Sequence, residues 1–481
     1  MSELVVGVDA STQSTKVEVR TLDEGRLVGR GAADHPAVQP PRAEQDPDAW
    51  WAALDLALAA ALDGLAAPTV VAVAVAGQQH GMVALDRDNR PVHPAKLWND
   101  TESSDDADRL IAELGAGGWA AAVGSVPVSA FTITKLAWLR RTRRPAFDRI
   151  AHVLLPHDEL TRRLTGEYTT DRGDASGTGY WSAPEGRYRH DLLQLVDPDV
   201  DWSARLPLVL GPADVAGIAA HGRVAGAVVG AGTGDNMAAA LGIGVRSGEA
   251  VISIGTSGTA YAVADSPTCD PTGEVAGFAD ATGRFLPLVC TSNAGRVLDA
   301  VRRLLGVDPA EFDRLASRAE SGGPTLLPYF DGERTPNRPG AHGVLAGLRS
   351  DVTREQLARA AVDGVAFGLL DALDSLRRVG SPIERLVLTG GGSRSTALAA
   401  TIASGAGCAV ELVDLDEAVA AGAALQAAAA ARGVAPADIA ARWALGVRNP
   451  IEPTTDSSVH ERRGAYAELR AATDRAPWRR D

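Results

Sequence analysis

Asp9 and Asp235 are the two carboxylates whose surroundings suit chemistry on a phosphate. Asp9 follows an apolar run, residues 4 to 8, and opens a turn of small hydroxyl residues, Ala-Ser-Thr-Gln-Ser-Thr. A carboxylate there can hold a magnesium ion, usually through water, while Thr12 and the exposed amides face phosphate oxygens. The same residues would also make an ordinary Asx turn. Asp235 ends the stretch Gly232-Thr-Gly-Asp-Asn, where a loop passes into a helix. It can take the proton of a substrate hydroxyl that attacks a γ-phosphate, or it can simply cap the helix.

Four further segments carry chemistry of the same kind. Gly255-Thr256-Ser257-Gly258-Thr259 is a second small-residue turn. Its glycines admit a phosphate to the backbone, and its amides and hydroxyls can donate to it; a tight hairpin with positive φ at glycine is the plainer alternative. Gly390-Gly391-Gly392 joins a strand to a helix and allows close approach to a flat ligand such as a nucleotide, or is only a turn. No GxGxxG or GxxxxGK[ST] pattern occurs, so neither a Rossmann nor a P-loop site is supported. Gly77-Gln78-Gln79-His80-Gly81 offers side chains suited to a polyol, and Trp98 in Leu97-Trp98-Asn99-Asp100 offers a ring for a sugar face. A polar loop and a core tryptophan are the alternatives.

The elements that must hold these residues alternate between strand and helix. Residues 4 to 8 and 16 to 20 read as strands around the first turn, and 250 to 254 and 260 to 264 as strands around the second. Two hairpins with hydroxyl-rich tips, one early in each half, suggest a duplicated plan. Residues 69 to 76 form another buried strand, and a Gly-rich run from Gly222 to Gly234 leads into a helix at Met237. In the second half a helix over 353 to 378 begins with the capping box Thr353 and Gln356. Strands at 386 to 389 and 409 to 413, an Ala-rich helix from Glu417 to Arg432 and a short helix from Glu461 to Ala472 follow. The reading is two α/β domains with a boundary near Gly242 to Gly248, and the cleft between them as the site.

Composition limits the function classes. The 481 residues are 45% hydrophobic and 22% charged, enough for large cores without staples. A net charge of −14 with scattered basic residues does not suit nucleic-acid binding. Three cysteines, Cys269, Cys290 and Cys408, make neither a disulfide framework nor a zinc pattern. The start, Met-Ser-Glu-Leu-Val-Val, is not a leader, and no apolar stretch is long enough to span a bilayer, so a cytoplasmic protein is expected.

In combination these segments resemble the FGGY carbohydrate kinases, members of the actin-like ATPase superfold, over roughly residues 4 to 445. Phe131-Thr-Ile-Thr-Lys135-Leu-Ala-Trp138-Leu is similar to one family signature. Gly343-Val-Leu-Ala-Gly347-Leu348, followed by Gln356-Leu357 and Ala360-Ala361-Val362-Asp363, is similar to the other. Pro328-Tyr-Phe-Asp-Gly-Glu-Arg-Thr-Pro336, Leu164-Thr-Gly-Glu167, Asp174-Ala-Ser-Gly177 and the helix opened by Glu417 resemble stretches of the xylulokinase branch, as does Gly-Gln-x-His-Gly.

The resemblance implies two actin-like, ribonuclease H-like domains with a cleft between them. Residues 1–243 would bind the sugar and carry the base, and residues 244–481 would bind the nucleotide. It implies ATP as co-substrate and Mg2+ as cofactor. Asp235 would be the catalytic base, with Asp9 and Asp235 holding the metal. Thr12, Lys16, Gly255, Thr256 and Ser257 would meet phosphates, Gly390, Gly391 and Gly392 the nucleotide, and Gln79, His80, Gly81, Asn236 and Trp98 the sugar. The implied reaction is phosphorylation of a ketopentose, D-xylulose to D-xylulose 5-phosphate. Another ketose or a polyol is the alternative within the class, and a non-catalytic sugar-sensing regulator the alternative outside it. A homodimer with no membrane or nucleic-acid partner is expected. Three departures stand out: the first turn lacks the common Leu-Gly-Thr-Ser-Gly, Gln79 replaces a methionine, and Thr101-Glu102 stand where an arginine is common, which makes Gln79 and Glu102 the positions that bear on the choice of sugar.

Overall fold

The computed structural model describes residues 3–66, 68–320, 322–453 and 457–474. By packing they form two compact units. The first takes in residues up to Val245 together with Asp265–Leu286 and Glu417–Gly446; the second takes in Arg246–Ala264, Pro287–Asp416 and the chain from Val447 onward.

The first unit is built on a sheet of β1 (Glu3–Ala10), β2 (Ser14–Thr21), β3 (Leu27–Asp34), β4 (Thr69–Gly77), β5 (Val215–Ile218), β6 (Val228–Gly230) and β7 (Thr233–Gly234). The order is β5-β6-β4-β1-β2-β3, with β7 also beside β4. β1, β2 and β3 are antiparallel, whereas β1, β6 and β7 run parallel to β4. The apolar run of β4 suits a central strand covered on both faces. On one face Val6, Val8, Val73 and Val75 share a core with Trp50, Leu54 and Leu58 of the helix Pro47–Leu62.

Alternation puts Gly7 and Asp9 on the other face of β1. The Ala-rich helix Ala418–Arg432 lies there so closely that a Cβ on Gly7 would stand 2.0 Å from the Ala420 carbonyl oxygen. It meets the helix Asp235–Ile243 equally closely: a Cβ on Gly422 would stand 1.8 Å from the Ala238 oxygen, and one on Gly242 would stand 2.1 Å from the Ala418 oxygen. These backbone-to-backbone contacts tie residues 417–446 to the first unit although they come late in the chain. Among the described residues no single helix is long and apolar enough to cross a membrane.

The second unit repeats the plan. β8 (Glu249–Ile254), β9 (Gly258–Ala262), β10 (Phe285–Thr291), β11 (Arg385–Thr389), β12 (Ala409–Asp414) and β13 (Val447–Pro450) pair in the order β10-β9-β8-β11-β12-β13. β8 is antiparallel to β9 and parallel to β11, as β1 is antiparallel to β2 and parallel to β4. The two actin-like α/β domains expected from the sequence are therefore both present. The helix Arg354–Arg378 carries its capping box: the Gln356 amide donates to Thr353 Oγ1 (3.3 Å) and the Thr353 amide to Gln356 Oε1 (3.2 Å). The tail helix Val459–Asp474 is pinned to it by Arg462 on Asp363 (2.6 Å) and Arg463 on Asp374 (2.6 Å).

Candidate functional site

Three parallel strand ends in the first unit deliver most of the expected residues to one place. Ala76, near the end of β4, is paired with Asp9 on one side and with Thr233 on the other. The chain leaving β4 is held by a bond from the Gln78 amide to the Ala10 oxygen (3.0 Å). Asp9, the Gln78-Gln79-His80 segment and Asp235-Asn236 thus emerge side by side at the carboxyl edge of the sheet, where α/β folds bind ligands.

Asp235 is the first residue of its helix, with Gly234 in the capping position, so its carboxylate is not the N-cap. Its Oδ1 accepts from the Asn236 amide (2.7 Å) and from Asn236 Nδ2 (2.8 Å). The same Asn236 nitrogen donates to Gln79 Oε1 (2.9 Å). Burial pushes the Asp235 pKa up to about 6, against the hydrogen bonds that favour its charged form. Gln79 is buried, and its Nε2 has no partner among the described residues. A buried donor without an acceptor is costly, and a ligand hydroxyl would relieve it.

His80 has a left-handed backbone, φ 67°, and lies between the rings of Phe131 (5.0 Å) and Phe278 (5.4 Å). Its Nδ1 is 2.9 Å from the Gly177 oxygen, and a Cβ on Gly177 would sit 2.3 Å from that nitrogen. Asp174-Ala-Ser-Gly177 therefore needs its glycine to seat His80. A Cβ on Gly81 would meet Pro156 Cγ at 2.6 Å, so packing accounts for that glycine.

Asp9 is not in the turn: β1 runs on to Ala10, and Asp9 pairs directly with Lys16 of β2. Paired residues share a face, and on this face lies Glu417, whose Oε2 is 2.8 Å from Lys16 Nζ. Asp9 is buried, with Oδ1 lacking any hydrogen-bond partner among the described residues. Burial, Asp235 and Glu417 together push its pKa up to about 7, opposed by Lys16. Thr12 Oγ1 donates to Gln78 Oε1 (3.1 Å) and accepts from Trp98 Nε1 (2.9 Å). Its one proton is committed, so a phosphate would reach Thr12 only by exchanging that partner.

Glu102 is turned away from a ligand role. Lys96, fully buried, is bonded to Glu102 (2.7 Å), Glu44 (3.0 Å) and Asp100 (3.0 Å), and its ammonium lies 3.8 Å over the Trp138 ring. The three carboxylates are near enough to hold a metal, but the ammonium already serves them.

In the second unit the turn after β8 rests on the start of the helix Gly295–Leu305. The Gly255 oxygen accepts from the Gly295 amide (2.9 Å) and the Thr256 oxygen from the Arg296 amide (3.1 Å). Gly255 and Thr256 are exposed. The triple glycine after β11 lies against the end of β8: a Cβ on Gly390 would stand 2.7 Å from the Ile254 oxygen and one on Gly392 would stand 2.3 Å from Ile254 Cγ2. The close approach expected there is made first to Ile254, while Gly391 faces open space.

Two features of the first unit escape sequence reading. One is Glu417 as the partner of Lys16, 401 positions away. The other is a buried group of His157, Asp158, Asp171 and Asp174. Their signal in the sequence is the density of charge in His157-Asp-Glu and Asp171-Arg-Gly-Asp.

Residues 4–242 match the FGGY family of carbohydrate kinases, N-terminal domain, and residues 250–431 match its C-terminal domain. The chain is 49% identical to the xylulose kinases of Streptomyces rubiginosus and Streptomyces coelicolor over 447 residues, which is 92% of this chain and 90% of each relative. The crystal structure of xylulose kinase from Bifidobacterium adolescentis superposes with a TM-score of 0.86 at 41% identity, covering 98% of this chain and 99% of that one.

Proposed function

From the premise that this chain belongs to the FGGY family of carbohydrate kinases, we propose that it transfers the γ-phosphoryl group of ATP to D-xylulose, giving D-xylulose 5-phosphate. The observation that carries the reading is the Gln79–Asn236–Asp235 chain of hydrogen bonds, which ends in a buried, unpartnered Gln79 donor. It supports a reading in which Gln79 donates to the sugar near a carboxylate whose raised pKa suits a general base.

In this reading Gln79, His80, Gly81, Asn236 and Trp98 surround the sugar. Asp235 takes the proton of the attacking hydroxyl as the new O–P bond forms and the bond from Pγ to the ADP oxygen breaks. Lys16, Thr12 and the turn Gly255, Thr256 and Ser257 meet phosphates, and Gly390, Gly391 and Gly392 line the nucleotide. Lys16 then exchanges its bond to Glu417 for a phosphate oxygen. The first unit would bind the sugar and the second the nucleotide.

The residues also fit a divalent cation. Asp9 carries a buried oxygen with no partner, and Asp9 and Asp235 each hold a raised pKa that a positive charge would relieve. Asp9 and Asp235 would hold magnesium, which when bound would screen the charge on the phosphates. A coupled ADP-release assay with Mg-ATP against a panel of ketoses and polyols tests the reading. D-xylulose should give the highest kcat/KM; a clear preference for another sugar would overturn the substrate, and no sugar-stimulated turnover would overturn the kinase.

A further inference from the structure

Behind the turn that presents Asp235 lies a group of ionisable side chains that the chemistry above does not use. His157 Nε2 is 3.1 Å from Asp158 Oδ1, 3.4 Å from Asp174 Oδ2 and 3.5 Å from Asp171 Oδ1. All four residues are buried. Burial alone would keep the imidazole neutral, but the surrounding carboxylates outweigh it and raise its pKa to about 9. Burial also pushes Asp158 up to about 6 and Asp174 well above the carboxylate range. One cation therefore stands among three acids.

Asp171 is the member whose hydrogen bonds are complete. Its Oδ1 accepts from the Asp174 amide (2.9 Å), and its Oδ2 from the Gly173 amide (2.8 Å) and from Thr233 Oγ1 (2.7 Å). Thr233 is fully buried and lies two residues before Asp235, in the short strand β7. His157 reaches the same segment from the other end: a Cβ on Gly232, whose φ is +74°, would stand 2.8 Å from His157 Nδ1. The Gly232 oxygen is held in turn by Gln426 Nε2 (2.9 Å). The backbone leading into Asp235 is thus held at Gly232 by Gln426 and at Thr233 and Gly234 by pairing with β4, and the side-chain grip on Thr233 runs through a single hydroxyl.

We infer that Asp171 and Thr233 form a positioning relay for the proposed base: Asp171, charged beside the His157 imidazole, holds the Thr233 hydroxyl, and Thr233 fixes the backbone from which Asp235 projects. The inference rests on the reading of Asp235 as the base. A base must be held within about 0.5 Å of its productive place, and a misplacement of about 1 Å costs on the order of a hundredfold. The relay acts on the proton-transfer step, so its loss falls on kcat rather than on nucleotide binding.

The test is steady-state kinetics of the full chain with Mg-ATP and D-xylulose for Thr233→Val, Thr233→Ser and Asp235→Asn. Thr233→Val keeps the shape and removes the proton that Asp171 accepts. It should lower kcat about tenfold or more, with KM for ATP within about twofold of the parent, and Thr233→Ser should restore most of the loss. A fall in kcat of less than about fivefold for Thr233→Val, or a serine variant as slow as the valine variant, overturns the relay. If Thr233→Val does not accumulate as folded protein, Thr233→Ala removes the same proton without placing a methyl against Asp171, and the same thresholds apply. Asp235→Asn separates the two claims. Loss of turnover there with a normal Thr233→Val enzyme refutes the relay and leaves the base standing; retained turnover in Asp235→Asn refutes the base itself.

Discussion

Gly422→Ala tests how the fold sets the position of Asp235. The new Cβ would stand 1.8 Å from the Ala238 carbonyl oxygen and 2.6 Å from its carbon. Real Cβ atoms essentially never approach within 3.0 Å, so the helices Ala418–Arg432 and Asp235–Ile243 must part by about 1.2 Å or more in a close-packed interior. Both obstructing atoms are backbone, so no side-chain rotation relieves the clash. Overpacking of this kind costs about 1–3 kcal/mol. Ala238 is one turn from Asp235 in the same helix, so the shift passes to the proposed base, and about 1 Å there lowers turnover on the order of a hundredfold. The assay is kcat for sugar-dependent ADP release beside a thermal melt. Gly464→Ala is the control: Gly464 is exposed within its helix with no atom within 4 Å of a new Cβ. It should leave kcat unchanged and add about 0.5–1 kcal/mol of stability. A Gly422→Ala enzyme with parental melting and a kcat within threefold of the parent would refute the reasoning.

The proposed base should show in the pH profile. With the Asp9 and Asp235 pKa values raised to about 7 and about 6, both ionised forms are lost as pH falls, so log(kcat/KM) should drop on the acid side with a slope that steepens from one toward two. Magnesium favours the ionised carboxylates, so raising its concentration should move that limb to lower pH; a limb insensitive to magnesium would count against Asp9 and Asp235 as its holders. Gln79→Leu removes the unpartnered donor and should raise the sugar KM about tenfold, from a lost hydrogen bond of roughly 1–2 kcal/mol, with KM for ATP unchanged; equal effects on both substrates would contradict its role. Lys96→Met leaves three carboxylates around a missing cation and should destabilise the protein by about 3–5 kcal/mol in denaturant unfolding. An unchanged unfolding midpoint would show that Lys96 is not their essential counter-ion.

Much of the candidate site's placement was legible because strand-end residues announce themselves. Asp9 after an apolar run, Gln79-His80 after β4 and Asp235 after a glycine stretch all sit where parallel strands end, and local pattern shows such ends. The duplicated hairpins were legible for the same reason. What sequence could not reveal was which partner each polar side chain takes. The resemblance gives Lys16 a phosphate to meet, but Glu417 engages it. Thr12 reads as an exposed hydroxyl, but Gln78 and Trp98 engage it. Glu102 reads as a change in the sugar site, but the buried Lys96 draws it away. Gly390 and Gly392 read as room for a ligand, and part of that room is filled by Ile254. The placement of Glu417 in the first unit depends on glycine contacts at Gly7 and Gly242 that only packing reveals.

The measurement that bears most directly on the account is ADP release from Mg-ATP with D-xylulose, comparing the parent with Asp235→Ala. The account predicts sugar-stimulated release in the parent and a loss of about a hundredfold or more in kcat for the variant. No stimulation by D-xylulose in the parent, or near-parental turnover in Asp235→Ala, would contradict it.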